Sequence, residues 1–225
     1  MKFVWPRRTS GLPPGQRLLL TMPRFGDRPH QPPPVEPVDQ RITITHRGNT
    51  LATFNYEELR SVGFEERTTD FHCVTTWSVR GVGWTGVPLQ RLFESIGVSN
   101  PLAAFVFGRA LDRRRAHFVA DDVFRGDVFL AVAQDGRRLD SSNGGPFRLV
   151  APEHYGYKSV KHLADLEFSS TLPRSLGKEH LRGRVAFEER HPRFPSWTVK
   201  PLYRLLIPAT SALAELTARP SKGTS

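Results

Sequence analysis

Cys73 is the only cysteine in the chain, and it sits beside His72 and four residues before Trp77. Three chemistries are open to such a thiol. It can be a small buried hydrophobe with no reaction to perform. It can be a nucleophile, which needs a base within reach; His72 is next in sequence, but in a strand neighbouring side chains point to opposite faces, so His72 is badly placed to serve it. It can be a soft metal ligand, suited to a heavy transition metal whose other ligands come from elsewhere. A single cysteine excludes an intramolecular disulfide and any multi-cysteine zinc or iron–sulfur site.

The second chemistry-bearing stretch is Ser141-Ser-Asn-Gly-Gly-Pro146. Adjacent Gly144 and Gly145 leave main-chain amides open to a ligand, and Asn143 offers both a donor and an acceptor. Arg148 can grip a phosphate through two N–H groups, and Lys158 and Lys161 add charge. A plain polar turn with surface lysines explains the same residues.

The elements that position these groups read as follows. Arg41–His46 alternates with the strand period, turns at Arg47-Gly48-Asn49, and returns through Leu51–Phe54. Asn55 caps a short helix, Tyr56 to Val62, stopped by Gly63. Phe64 to Trp77 carries two strand-like runs, and Trp77 and Trp84 fall in a loop punctuated by Gly81, Gly83 and Gly86. Pro88 opens a helix over Leu89–Ile96 that Gly97 closes. Strands follow at Ala103–Phe107, His117–Val119, Asp127–Ala133, Phe147–Ala151 and His162–Phe168, with a short helix around Asp121–Phe124 and a turn at Asp135-Gly136. Short helices among many strands predict a mixed α+β domain over 41–171. Residues 1–40 form a proline-rich leader packed on the domain, and 172–225 a basic C-terminal extension.

Hydrophobic content of 38% with fifteen phenylalanines suits a folded globular chain of 225 residues. The net charge of +10 invites a nucleic-acid reading, but the basic residues are dispersed and no recognised nucleic-acid motif accompanies them. No nucleic-acid partner is expected. No stretch approaches the length of a membrane span, and the apolar trio after Met1 is too short for a secretory signal. With an unpaired thiol, this points to a cytoplasmic protein.

Cys73-Val-Thr-Thr-Trp-Ser78, followed by Trp84-Thr-Gly-Val-Pro-Leu89, resembles the molybdopterin-binding domain of the sulfite oxidase family. Asn143-Gly-Gly-Pro-Phe-Arg-Leu-Val-Ala-Pro152 with Tyr155-Gly-Tyr-Lys-Ser-Val-Lys161 does so too, in the right order. Leu12-Pro-Pro-Gly-Gln16 is similar to the leader of short bacterial members. The resemblance covers residues 12 to 170. It implies the α+β, mixed-sheet sulfite-oxidase-type fold and molybdenum bound to molybdopterin. It implies that the Cys73 thiolate ligates the metal beside the dithiolene of one pterin, in a site cycling between Mo(VI) and Mo(IV). It places Asn143, Arg148, Ser159, Val160 and Lys161 on the pterin and its phosphate, with further contacts near Arg109 and at Arg24 in the leader.

The chain departs from true sulfite oxidases where they carry an arginine shortly after the ligating cysteine; here stand Trp77 and Ser78, with Arg80 later. Trp77 resembles the branch that holds methionine sulfoxide reductases. The resulting expectation is a monomeric molybdenum-cofactor oxidoreductase. It transfers an oxygen atom to or from a small, sulfur-containing substrate, with Trp77, Arg80 and Tyr155 at the substrate mouth. Electrons pass through a separate partner. The competing readings are a catalytically idle molybdopterin-storage protein and a basic nucleic-acid binder.

Overall fold

The computed structural model describes residues 12–13, 16–22, 39–73, 77–126 and 128–171. Most of the expected leader, Arg24 included, and the whole 172–225 extension lie outside them.

Local chemistry accounts for the first elements. Strand β2 (Ile42–His46) turns back into β3 (Asn49–Phe54) through Arg47 and Gly48, both at positive φ, a turn whose twist matches paired strands. Helix α1 (Tyr56–Gly63) begins with a capping box, in which the Asn55 side chain accepts from the Glu58 N–H and Glu58 accepts from the Asn55 N–H. Strand β4 (Glu65–His72) follows.

The next segment differs from the sequence expectation. Trp77–Pro88 is not a glycine loop but one continuous strand, β5, and among the described residues Phe64 to Cys73 holds one strand, β4. Gly86 marks close approach: a Cβ there would lie 2.0 Å from the Leu130 carbonyl oxygen, so the neighbouring backbone needs hydrogen at this position. Gly81 instead has φ +64 with open space around it.

Helix α2 (Leu89–Glu94) starts directly after Pro88 and ends two residues earlier than expected. Strands β6 (Phe105–Ala110) and β7 (Arg115–Val119), helix α3 (Ala120–Phe124), and strands β8 (Phe129–Gln134) and β9 (Arg137–Arg138) come next. Strand β10 (Arg148–Val150), a 3-10 turn at Gly156–Lys158, and β11 (Leu163–Ser169) complete the described chain.

Two sheets form. One runs β3-β2-β11-β6-β7, with β11 inserted parallel to β2 and antiparallel to β6. The other has six strands built around β5. Its first residues, Trp77–Val79, pair in parallel with β1 (Arg17–Leu19), and its last, Trp84–Pro88, pair antiparallel with β8, while β4 runs along its other edge. β10 then pairs with β8. Mixed sheets with short helices confirm the α+β class.

Strand β8 shows how the core divides. Leu130 and Val132 join the large core with Leu149, the helices and the second sheet. Phe129 and Ala131 face the other way, into a smaller cluster with Phe71, Cys73, Trp77, Val79, Trp84 and Val150. Alternation along one strand thus separates two apolar bodies.

Candidate active site

Cys73 lies just past the end of β4, where the chain turns toward β5. Its N–H donates to the Trp77 carbonyl at 2.8 Å, closing the turn; residues 74–76 are outside the described set. The thiol side chain is buried, 6% exposed, in the smaller cluster. Phe71, on the same face, stacks on Trp77 with centroids 5.9 Å apart and planes 24° apart.

His72 faces away, as alternation requires. Its Nδ1 lies 2.8 Å from Ser78 Oγ, its cross-strand partner. Ser78 Oγ donates to Gln16 Oε1 at 3.1 Å, and Gln16 Nε2 donates to the Cys73 carbonyl at 3.1 Å. The direction of every bond follows from that carbonyl, which only accepts: the amide must present its NH₂, the serine must donate to the amide oxygen, and His72 Nδ1 must carry the proton. Burial lowers the His72 pKa, with the Asp70 carboxylate opposing and Arg80 assisting the shift.

The second motif arrives from β10. Arg148, only 2% exposed, shares the face of Phe71 and Trp84; its guanidinium lies 4.9 Å from the Trp84 ring centroid and 5.9 Å from that of Phe71. Its Nη1 donates to the Asn143 carbonyl at 2.8 Å. The Lys161 ammonium donates to the Ser142 carbonyl at 3.0 Å, and that of Lys158 to the His117 carbonyl at 2.5 Å. Ser159 is buried, its hydroxyl accepting from the Ala151 N–H, and the Val160 carbonyl accepts from the Leu149 N–H.

The double glycine has a different use from the one its sequence suggests. The Gly145 amide is not open to a ligand, because it donates to the Asp140 carbonyl at 2.6 Å. Gly144 has φ +92, and a Cβ there would lie 2.5 Å from Lys161 Cγ. The glycines let the loop close against the lysine.

Cys73, Trp77, Arg148 and the Asn143 loop therefore converge. Tyr155 is 1% exposed and precedes Gly156, where a Cβ would strike the Phe71 ring at 2.4 Å; the 3-10 turn thus abuts the cysteine hairpin. Arg80 is not brought to Trp77. Three residues on along β5, it is exposed and lies 3.9 Å from Asp70. Arg109 is also elsewhere, on β6 between Asp165 and Glu167 of β11 at 3.7 and 3.5 Å. Its neighbour Gly108 is the residue turned toward Leu149. Sequence reading missed Phe71 as a wall and Gln16 and Ser78 as supports. Gln16 stood in a quoted motif, but nothing local signals a contact 57 residues away.

The donor set fits molybdopterin with its metal. Among the described residues no three His, Cys, Asp or Glu side chains gather to hold an ion; Cys73 offers one soft thiolate. The indole Nε1 atoms of Trp77 and Trp84 are buried with no hydrogen-bond acceptor, and buried cationic side chains suit an anion.

Comparison with known proteins agrees. The family profile described as oxidoreductase molybdopterin binding domain matches residues 30–176. The chain is 29% identical over 176 residues to the protein-methionine-sulfoxide reductase catalytic subunit MsrP of Campylobacter jejuni, covering 68% of this chain and 59% of that protein. It is 26% identical to the MsrP of Xanthomonas axonopodis, covering 74% and 57%. It is 28% identical to the uncharacterized oxidoreductase YuiH of Bacillus subtilis, covering 72% and 81%. The matches to the two MsrP proteins thus span under three fifths of those relatives. The sulfane dehydrogenase SoxCD of Paracoccus pantotrophus shares the fold, with TM-score 0.53 and 22% identity over 61% of this chain and 40% of that one. The chain belongs to the oxidoreductase molybdopterin-binding domain family, and molybdenum-bearing molybdopterin is its cofactor.

Proposed function

We propose that this oxidoreductase transfers an oxygen atom to or from a small sulfur-containing molecule, a sulfoxide in the reducing direction, with the Cys73 thiolate as the protein's ligand to molybdenum. The observation that carries the reading is the placement of a buried thiol and a buried guanidinium on one aromatic face, joined from two distant motifs. When bound, the cofactor supplies the two-electron couple and the oxygen-transfer chemistry. The chain's own residues do the rest. Arg148, Ser159, Val160 and Lys161 hold the pterin and its phosphate, with Asn143 contributing from the loop. Cys73 anchors the metal end. Phe71, Trp77 and Trp84 exclude water, and the Trp77 indole N–H has a hydrogen bond to give to a polar oxygen of cofactor or substrate. Tyr155 is buried, and Gly156 after it packs on Phe71. Arg80 pairs with Asp70, and Arg109 with Asp165 and Glu167, and this reading gives neither a role at the metal. Electrons enter or leave through a separate partner protein.

The names of the methionine sulfoxide reductases among the relatives and the aromatic wall support a sulfoxide. The test is metal and pterin analysis of protein made in a host that synthesises the cofactor, alongside Cys73→Ala. Stoichiometric molybdenum and sulfoxide-dependent turnover, lost in the variant, are expected. Unchanged turnover in Cys73→Ala, or no molybdenum in the wild type, overturns the assignment; molybdenum with turnover on neither sulfoxides nor reduced sulfur compounds points to a storage protein.

A further inference from the structure

Resting on the reading of Cys73 as the metal ligand, we infer that Gln16 is a positioning residue for that thiolate, locking the Cys73 main chain from a strand far away in sequence. Both main-chain polar groups of Cys73 are tied. Its N–H donates to the Trp77 carbonyl at 2.8 Å, and its carbonyl accepts from Gln16 Nε2 at 3.1 Å. With both held, the side-chain torsion is the main freedom left to the sulfur.

Gln16 is itself fixed on every side. Its Oε1 accepts from Ser78 Oγ at 3.1 Å, Ser78 is bound by His72 Nδ1 at 2.8 Å, and its own N–H donates to the Pro13 carbonyl at 3.2 Å. Gln16, His72 and Ser78 are all buried. Immediately after Gln16, Arg17–Leu19 pair in parallel with Trp77–Val79. The Gln16 amide therefore bonds the Cys73 carbonyl and the Ser78 hydroxyl directly, and His72 through that hydroxyl. A buried amide that satisfies its donor and acceptor on two ends of one turn fixes that turn's geometry, because losing it strands buried polar groups.

The experiment reads the cysteine directly. In the cofactor-loaded full chain, alkylation of the buried thiol by iodoacetamide requires local opening, so its rate reports the population of the open turn. Gln16→Met keeps the side chain's length and removes both hydrogen bonds. It is expected to raise the alkylation rate about tenfold, the equivalent of one to two buried hydrogen bonds. Ser78→Ala, a second variant that removes the serine's bonds to Gln16 and His72 but keeps the Gln16 bond to the Cys73 carbonyl, raises it by a few-fold. Leu166→Ala, in the other core, lowers the melting temperature yet leaves the rate unchanged well below melting. In cofactor-loaded protein, Gln16→Met retains molybdenum and shifts the thiolate-to-metal charge-transfer absorption.

Unchanged alkylation in both Gln16→Met and Ser78→Ala overturns the inference, as does an equal rise in Leu166→Ala. Altered alkylation with no charge-transfer band in the loaded wild type retains the clamp and removes the metal-ligand reading instead, so the two failures are separate.

Discussion

The face of the six-stranded sheet that meets the helices and the second sheet is closed and aliphatic. Val87, Leu130, Val132 and Leu149 pack there against Ile42, Ile44, Val106 and Leu166. The opposite face carries the Cys73 thiol, two tryptophans and, from β10, a buried guanidinium. Both tryptophans hold a buried N–H that meets no acceptor, each costing about 1–3 kcal/mol. A face selected for stability alone uses phenylalanine there and avoids the cost. The two faces of one sheet thus serve different ends, one holding the fold and the other holding groups ready for a ligand.

Substitutions can break or sharpen this contrast. The largest effect is expected from Cys73→Ala, which lowers turnover of the loaded enzyme by more than about a hundredfold, beyond what changes around a metal's ligands produce. Its urea midpoint moves little, because a small side chain replaces a small one. Phe168→Ala on the other side does the reverse. Phe168 is 2% exposed and packs on Phe93 at a centroid separation of 4.7 Å, so its loss costs about 3–5 kcal/mol in denaturant unfolding, while the folded fraction keeps its turnover. A large turnover loss per folded molecule would erase the distinction.

A third test uses pH. His154 is 5% exposed beside Phe118, with its Nε2 3.8 Å from Asp122. Its pKa is lowered from 6.5 to about 4, by burial first and then by the charges of Lys158 and His117. Between those values the unfolded chain binds more protons than the folded one. Stability is therefore full above about pH 6.5 and is lost as pH falls toward 4. The shift corresponds to roughly 3 kcal/mol. Urea midpoints across this window should fall for the wild type and fall less for His154→Asn; parallel curves would assign the loss to other groups. The smallest effect belongs to Arg80→Ala. Its exposed pairing with Asp70 at 3.9 Å predicts a stability change below about 1 kcal/mol and unaltered molybdenum content. A marked loss of metal would bring Arg80 back to the site.

Much of this was legible in the chain because it is local. The Asn55 cap, the hairpin at Arg47-Gly48, the turn at Asp135-Gly136 and the opposed faces of His72 and Cys73 each depend on a few neighbouring residues, and each stands in the structure. The stretch from Trp77 to Pro88 was misread as a loop because of its glycines, one of which answers to another strand: the Leu130 carbonyl, pressed against Gly86, leaves no room for a Cβ. Gly145 misled in the same way, since the carbonyl of Asp140 takes its amide.

The sequence by itself determined the residue types able to do chemistry, their two motifs and the local elements that carry them. Tertiary structure decided which of them meet. Strand order, β5 beside β8 beside β10, lays Arg148 over Trp84, and the period of two sends Arg80 away from Trp77. Gln16 reaches Cys73 because β1 pairs in parallel with the start of β5. A contact across 57 residues is set by sheet register, and register is a property of the packed chain that no short window of residues specifies.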